Sequence, residues 1–139
     1  AYLLAQLEAR EMIQRSRQRI WNFYREHLQE WAASRGVGLP YVPPHCEQPY
    51  HMFYLVMPSL EQRQALIAQL RARGILAVFH YQPLHLSEMG RAYGGREGDC
   101  PVTEEMADRI VRLPFFNAMT DDEQLAVVEA ILRSGGAAG

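Results

Sequence analysis

Apolar positions in the first quarter of the chain recur at helical spacing. In AYLLAQLEAREMIQRSRQRIWNFYREHLQEWAAS, Ile13, Ile20, Tyr24, Leu28 and Trp31 fall on one stripe at near-heptad intervals, with mostly polar residues between them. Tyr2, Leu3, Leu4 and Leu7 make a separate apolar group ahead of the polar run QRSRQR. No Ser, Thr, Asp or Asn cap and no Met precedes this pattern, so the chain reads as starting inside a helix. At 1.5 Å per residue a helix of roughly 30 residues spans about 45 Å, more than a small domain needs. Residues 1–12 are therefore expected to pack on something outside the chain. A long helix of the same domain with a frayed start is the plainer alternative.

The signals then alternate. SRGVGLPYVPP (34–44) predicts a helix stop and an extended connector, and YHMFYLVM (50–57) predicts a strand. Ser59, with Gln62 at the capping-box position, opens a helix whose Leu66, Ile67 and Leu70 face inward until Gly74 stops it. ILAVFHY (75–81) predicts a second strand, and 84–99 a loop or short helix. Thr103 is the expected cap of the next helix, RLPFF (112–116) a short extended piece, and Thr120 with Glu123 the start of the last helix. That helix should turn Leu125, Val128, Ile131 and Leu132 inward, before SGGAAG frays. The expected fold class is α+β: a single domain over 1–139, with a long N-terminal helix and a small βαβ-like sheet covered by helices.

Period-two alternation sends Leu76, Val78 and His80 to one face of the second strand, and Ile75, Ala77, Phe79 and Tyr81 to the other. Both faces ask for burial, as do those of 50–57. With so few helices to cover it, one sheet face is expected to meet another domain or subunit. The polar rings at the strand end would lie where ligands gather in α/β layers.

Composition narrows the chemistry. With 139 residues, 48% of them apolar, the chain can bury a core of its own. Its net charge of −2 is spread among mixed signs, so neither a nucleic-acid footprint nor a polybasic membrane patch is expected. All 14 basic residues are arginine, so no side chain can form a Schiff base and no P-loop lysine exists. Two cysteines, Cys46 and Cys100, are too few for a disulfide framework, and no signal peptide or long apolar span accompanies them. A cytoplasmic location follows as the expectation.

Four stretches, AYLLAQLE (1–8), HMFYLV (51–56), AVFHYQPLH (77–85) and RLPFF (112–116), together resemble the C-terminal part of the DegT/StrS-type sugar-nucleotide aminotransferases. The likeness runs in order over almost the whole chain. It implies the small C-terminal domain of a fold-type-I pyridoxal phosphate enzyme. That enzyme would move an amino group from glutamate to the keto carbon of a dTDP-4-keto-6-deoxyhexose, in lipopolysaccharide or surface-polysaccharide biosynthesis. The Schiff-base lysine and the pyridoxal 5'-phosphate pocket would belong to the missing N-terminal large domain. On this resemblance the chain alone carries no catalytic residue, binds no cofactor or metal, is inactive by itself and forms part of a homodimer. His80, Tyr81 and His85 would bind the nucleotide-sugar substrate, with Pro83 fixing the turn between them.

Other readings stand beside this one. His80 suits a hydrogen-bonded core histidine, Tyr81 simple packing, and His51 a structural position at a strand start. Arg91 or Arg96 near the Gly-rich loop could contact phosphate, or be solvated. HCEQPYH (45–51), with His80, His85 and Cys100, offers zinc ligand types but no standard spacing. Residue pattern alone also fits a non-catalytic α+β metabolite-binding or dimerisation module.

Overall fold

A computed structural model describes residues 2–134. The N-terminal stripe forms two nearly continuous helices, α1 (Tyr2–Glu8) and α2 (Arg10–Ser34). They meet at Ala9, whose N–H still reaches Ala5 O at 3.1 Å and whose carbonyl accepts from Ile13 at 3.0 Å. The stripe behaves as its spacing requires from Ile20 onward: Ile20, Tyr24 and Leu28 are fully buried, with Trp21, Trp31 and Ala32 beside them. Helix α1 buries nothing, and Tyr2, Leu3, Leu4 and Leu7 are all exposed. Gly36, at φ +65°, supplies the left-handed residue just past the end of α2.

Three short strands form one antiparallel sheet in the order β1-β3-β2: β1 (Tyr54–Val56), β3 (Ile110–Arg112) and β2 (Val78–Phe79). Tyr54 pairs with Arg112 and Val56 with Ile110, while Val78 also pairs with Arg112. Since β3 runs against both neighbours, β1 and β2 are parallel to each other, joined by α3 (Leu60–Ala72). The expected βαβ unit is thus split by a third strand inserted between its two. That strand lies at 110–112, ahead of most of the RLPFF stretch expected to be extended.

Both other strands are shorter than their apolar runs. Pro49 precedes Tyr50, which takes a left-handed φ of +46°, so the chain becomes extended only after it, and Pro58 follows Met57 at the far end. In the second run Ile75 N–H is taken by Leu70 O at 2.9 Å and Ala77 N–H by Ile75 O at 3.2 Å. Only Val78 and Phe79 remain for the ladder. Within the chain one sheet face is sealed and the other is left partly open, the face that was expected to meet another domain or subunit. Phe53, Leu55, Met57 and Val111 are sealed, Tyr54, Val56 and Val78 are half-buried, and Leu76 is 72% exposed. Phe79 is also largely exposed, with the Arg63 guanidinium carbon 5.6 Å from its ring centre.

The core joins α2, the sheet, α3 and α6 (Asp121–Arg133). Phe53 meets Trp21 edge-on at 5.5 Å and Tyr24 at 5.4 Å. Tyr24 donates its hydroxyl to Pro114 O at 2.9 Å, and burial pushes that phenol's pKa well up. Ser59 caps α3 by accepting from Gln62 N, and Thr120 and Glu123 complete a reciprocal capping box on α6.

Two helix expectations are corrected. α5 (Pro101–Arg109) begins at Pro101 with Cys100 in the cap position, so Thr103 lies inside the first turn. Proline suits that place because the first helical N–H has no intrahelical partner. On α6 the buried residues are Gln124, Val127, Val128, Ala130 and Ile131, whereas Leu125 and Leu132 are 44% and 43% exposed. Gln124 is tolerated in the core because its amide reaches Ile20 O at 3.4 Å.

Candidate functional site

Strand β2 ends at Phe79, and the next four residues, His80 to Pro83, leave the sheet along its edge. Pro83 leads a single 3₁₀ turn (Leu84–Leu86). Ser87 ends it, donating its hydroxyl to Leu84 O at 2.7 Å while accepting from Gly90 N at 3.0 Å, which starts α4 (Glu88–Ala92). The turn and α4 are pressed together through glycine. A Cβ on Gly90 would lie 2.1 Å from Leu84 O, and one on Gly95 would lie 2.3 Å from His85 O.

Between this segment and α5 lies an open cleft of about 370 Å³. One wall is His80, Tyr81, Gln82, Pro83 and Leu84; the other is Val102, Thr103, Met106 and Ala107 of α5 with Ile110 of β3. Two of the three expected binding residues thus line one hollow. The His80 and Tyr81 rings lie 4.9 Å apart, and the Arg112 guanidinium sits 5.3 Å from the Tyr81 ring centre. His80 Nδ1 is buried with no hydrogen-bond partner. Burial, and then the charge of Arg112, hold the His80 pKa below its ordinary value, so the ring is neutral at pH 7. A neutral ring with one unsatisfied nitrogen beside an apolar wall is suited to holding a hydroxyl-bearing ligand.

His85 stands apart from the cleft lining. Its side chain is 17% exposed, and Nε2 donates to Glu104 Oε1 at 2.8 Å. The same carboxylate accepts from Gly98 N at 2.9 and 3.0 Å and from Cys100 N at 3.3 Å. These bonds, the one from His85 foremost, pull the Glu104 pKa below the ordinary carboxylate range. Glu104 thus gathers the turn, the Gly-rich loop and the start of α5 on one group.

The remaining candidates lie elsewhere. His51 is exposed; Arg91 gives its Nε to Leu86 O at 3.1 Å, and Arg96 uses its backbone N–H on Asp99. Cys46 and Cys100 are exposed free thiols. Among the described residues no group of three His, Cys, Asp or Glu side chains could hold a metal ion, and no helix is long and apolar enough to cross a membrane. A second hollow, about 380 Å³, lies between the end of α2 and α3; among its described lining residues Arg35 alone is charged. Sequence pattern missed Glu104, although an acidic residue in a first turn opened by proline is a usable signal.

Acid should loosen this segment in a defined order. A carboxylate whose folded pKa is depressed stabilises the fold fully above its unfolded value and loses that contribution as pH falls through the folded one. His80, also depressed, follows the same sign from a higher starting pH. Amide exchange at Gly98 and Cys100 should therefore stay slow until the exposed carboxylates have titrated, and rise only below that. Early loss of protection, in the histidine range, would contradict the assigned role of Glu104.

Residues 1–132 match the family model described as the DegT/DnrJ/EryC1/StrS aminotransferase family. The chain is 34% identical over 110 residues to the dTDP-3-amino-3,4,6-trideoxy-alpha-D-glucose transaminase of Streptomyces venezuelae, covering 76% of this chain and 27% of that protein. It is 29% identical over 131 residues to the uncharacterized protein MJ1066 of Methanocaldococcus jannaschii, covering 91% of this chain and 33% of that one. Among solved structures it is similar to S. venezuelae DesV in complex with an intermediate. There the TM-score is 0.87 and the identity 27%, covering 99% of this chain and 36% of that one. The chain thus spans about a third of the length of the proteins it matches.

Proposed function

Because the chain belongs to the DegT/DnrJ/EryC1/StrS aminotransferase family, we propose that it serves as the C-terminal domain of a sugar-nucleotide aminotransferase and forms one wall of that enzyme's substrate cleft. The observation that carries this reading is the placing of His80 and Tyr81 on a single cleft at the end of β2. Pyridoxal phosphate is the cofactor associated with the family. The residues present here do not fit it, for the chain contains no lysine to hold it covalently. Cofactor chemistry therefore falls to an N-terminal large domain, and this chain contributes binding and orientation.

The proposed acceptor is a dTDP-4-keto-6-deoxyhexose, with glutamate as amino donor. The activity proposed is thus that of a dTDP-4-amino-4,6-dideoxygalactose transaminase. Relatives named for other amino sugars make the aminated carbon a matter for direct assay. His80, Tyr81 and His85 are the proposed sugar-nucleotide contacts. Residues 1–12 are proposed to belong to a helix shared with the large domain, and a homodimer would supply further cover for the exposed Tyr2, Leu3, Leu4 and Leu7. A cytoplasmic setting belongs to the same proposal.

In the enzyme containing this chain, His80→Ala and His85→Ala should each lower kcat/KM for the keto-sugar by on the order of tenfold, the scale of one lost hydrogen bond. The glutamate half-reaction should be unchanged. Equal loss in both half-reactions would place these histidines outside the sugar site.

A further inference from the structure

The His85 ring carries two nitrogens that differ in what they can do, and the structure constrains only one of them. Nε2 lies 2.8 Å from Glu104 Oε1. Glu104 is held independently of His85: Gly98 N bonds both of its oxygens and Cys100 N bonds one, and these backbone groups can only donate. The carboxylate is ionised over the neutral range and can only accept. The proton in the His85–Glu104 bond must therefore reside on Nε2. The backbone of His85 is fixed as well, since Gly90 and Gly95 pack against its carbonyl without room for a Cβ.

We propose that Glu104 is a positioning residue, which fixes His85 as the imidazole carrying its proton on Nε2 and leaves Nδ1 as the acceptor for a hydroxyl of the bound sugar nucleotide. This rests on the reading of His85 as a substrate contact. The arrangement is a carboxylate–histidine pair in which the carboxylate sets the tautomer and the ring meets the ligand. The pair is partly shielded from water, with side-chain exposures of 17% and 18%, so competition for either partner is limited. Neither Glu104 nor His85 is among the residues lining the cleft, but His85 directly follows Leu84, which is, so Glu104 acts on the ligand through His85.

The test combines kinetics with nitrogen NMR on enzyme labelled with 15N-histidine. Glu104→Gln, which keeps the shape and removes the charge, should raise KM for the sugar nucleotide on the order of tenfold, with kcat in the glutamate half-reaction unchanged. In the His85→Ala background the same substitution should add nothing, because the residue it acts through is gone. Above the histidine titration range, His85 should show the Nε2-protonated pattern alone, and Glu104→Gln should turn it into a mixture. An Nδ1-protonated or doubly protonated ring in the unsubstituted enzyme overturns the proposal, whether or not the variant folds. Additive effects of the two substitutions, or a normal KM in folded Glu104→Gln, overturn it while leaving the sugar-site reading intact. A normal KM in His85→Ala overturns both.

Discussion

Phe53→Ala is expected to lower the free energy of unfolding by about 3–5 kcal/mol. Phe53 is fully buried, with Trp21 edge-on at 5.5 Å and Tyr24 at 5.4 Å, and its carbonyl accepts the Leu113 N–H at 3.0 Å. The surrounding groups cannot close over the space. Tyr24 is anchored through its hydroxyl to Pro114 O, and Trp21 is held on its other side by Tyr50 at 5.8 Å. The loss therefore combines transfer of the ring with a residual cavity. Urea unfolding followed by tryptophan fluorescence measures it, since Trp21 reports on the same site. Leu125→Ala is the matched control and should fall within about 0.5 kcal/mol of the parent, because Leu125 faces solvent. Similar losses in the two variants would mean that the assigned face of α6 is wrong.

Gly90→Ala is expected to reduce kcat/KM for the proposed sugar-nucleotide substrate about 100-fold in the enzyme containing this chain, the scale associated with a misplacement near 1 Å. The new Cβ would lie 2.1 Å from Leu84 O and 2.7 Å from the carbonyl carbon and oxygen of His85. All of these are backbone atoms, so the 3₁₀ turn and α4 must separate, carrying His85 away from Glu104. A stability loss of roughly 1–3 kcal/mol should accompany the displacement. Gly94→Ala separates the steric effect from a general effect of losing glycine. Gly94 has a φ of +94° with open space around its Cβ direction, so substitution there strains the backbone without pushing on His85. Equal kinetic losses at Gly90 and Gly94 would remove the basis for a rigid His85 turn.

Local signals were the legible part of the sequence. Ser59, Thr120 and Glu123 announced helix starts because a cap is a short-range hydrogen-bond pattern, and the structure makes those bonds. The stripe from Ile20 to Trp31 was legible because most of one face of α2 is buried. Thr103 failed as a cap for a local reason, Pro101 taking the first helical position, while most other failures depended on wider context. The apolar runs at 50–57 and 75–81 predicted long strands, but their lengths were set by where β3 could pair and by backbone donors already used elsewhere. On α6 either of two adjacent faces satisfied the periodicity, and the buried one contains Gln124, whose partner Ile20 O lies on another helix. At the site, His80 and Tyr81 were legible as a strand end. Glu104 was hidden because its three partners come from the turn, the loop and its own helix start.

The position of β3 also determines when the sheet can exist. Neither outer strand bonds to the other; Tyr54 and Val78 both find their partner in Arg112. A nascent chain emerging in order would present β1 and β2 with no ladder between them until residues 110–112 arrive. Helix α2 and helix α3 can form early from local contacts, but the sheet that leads to His80 and Tyr81 pairs all at once when β3 arrives. A translation product ending before Ile110 would carry His80 and Tyr81 on a segment with nothing to pair against.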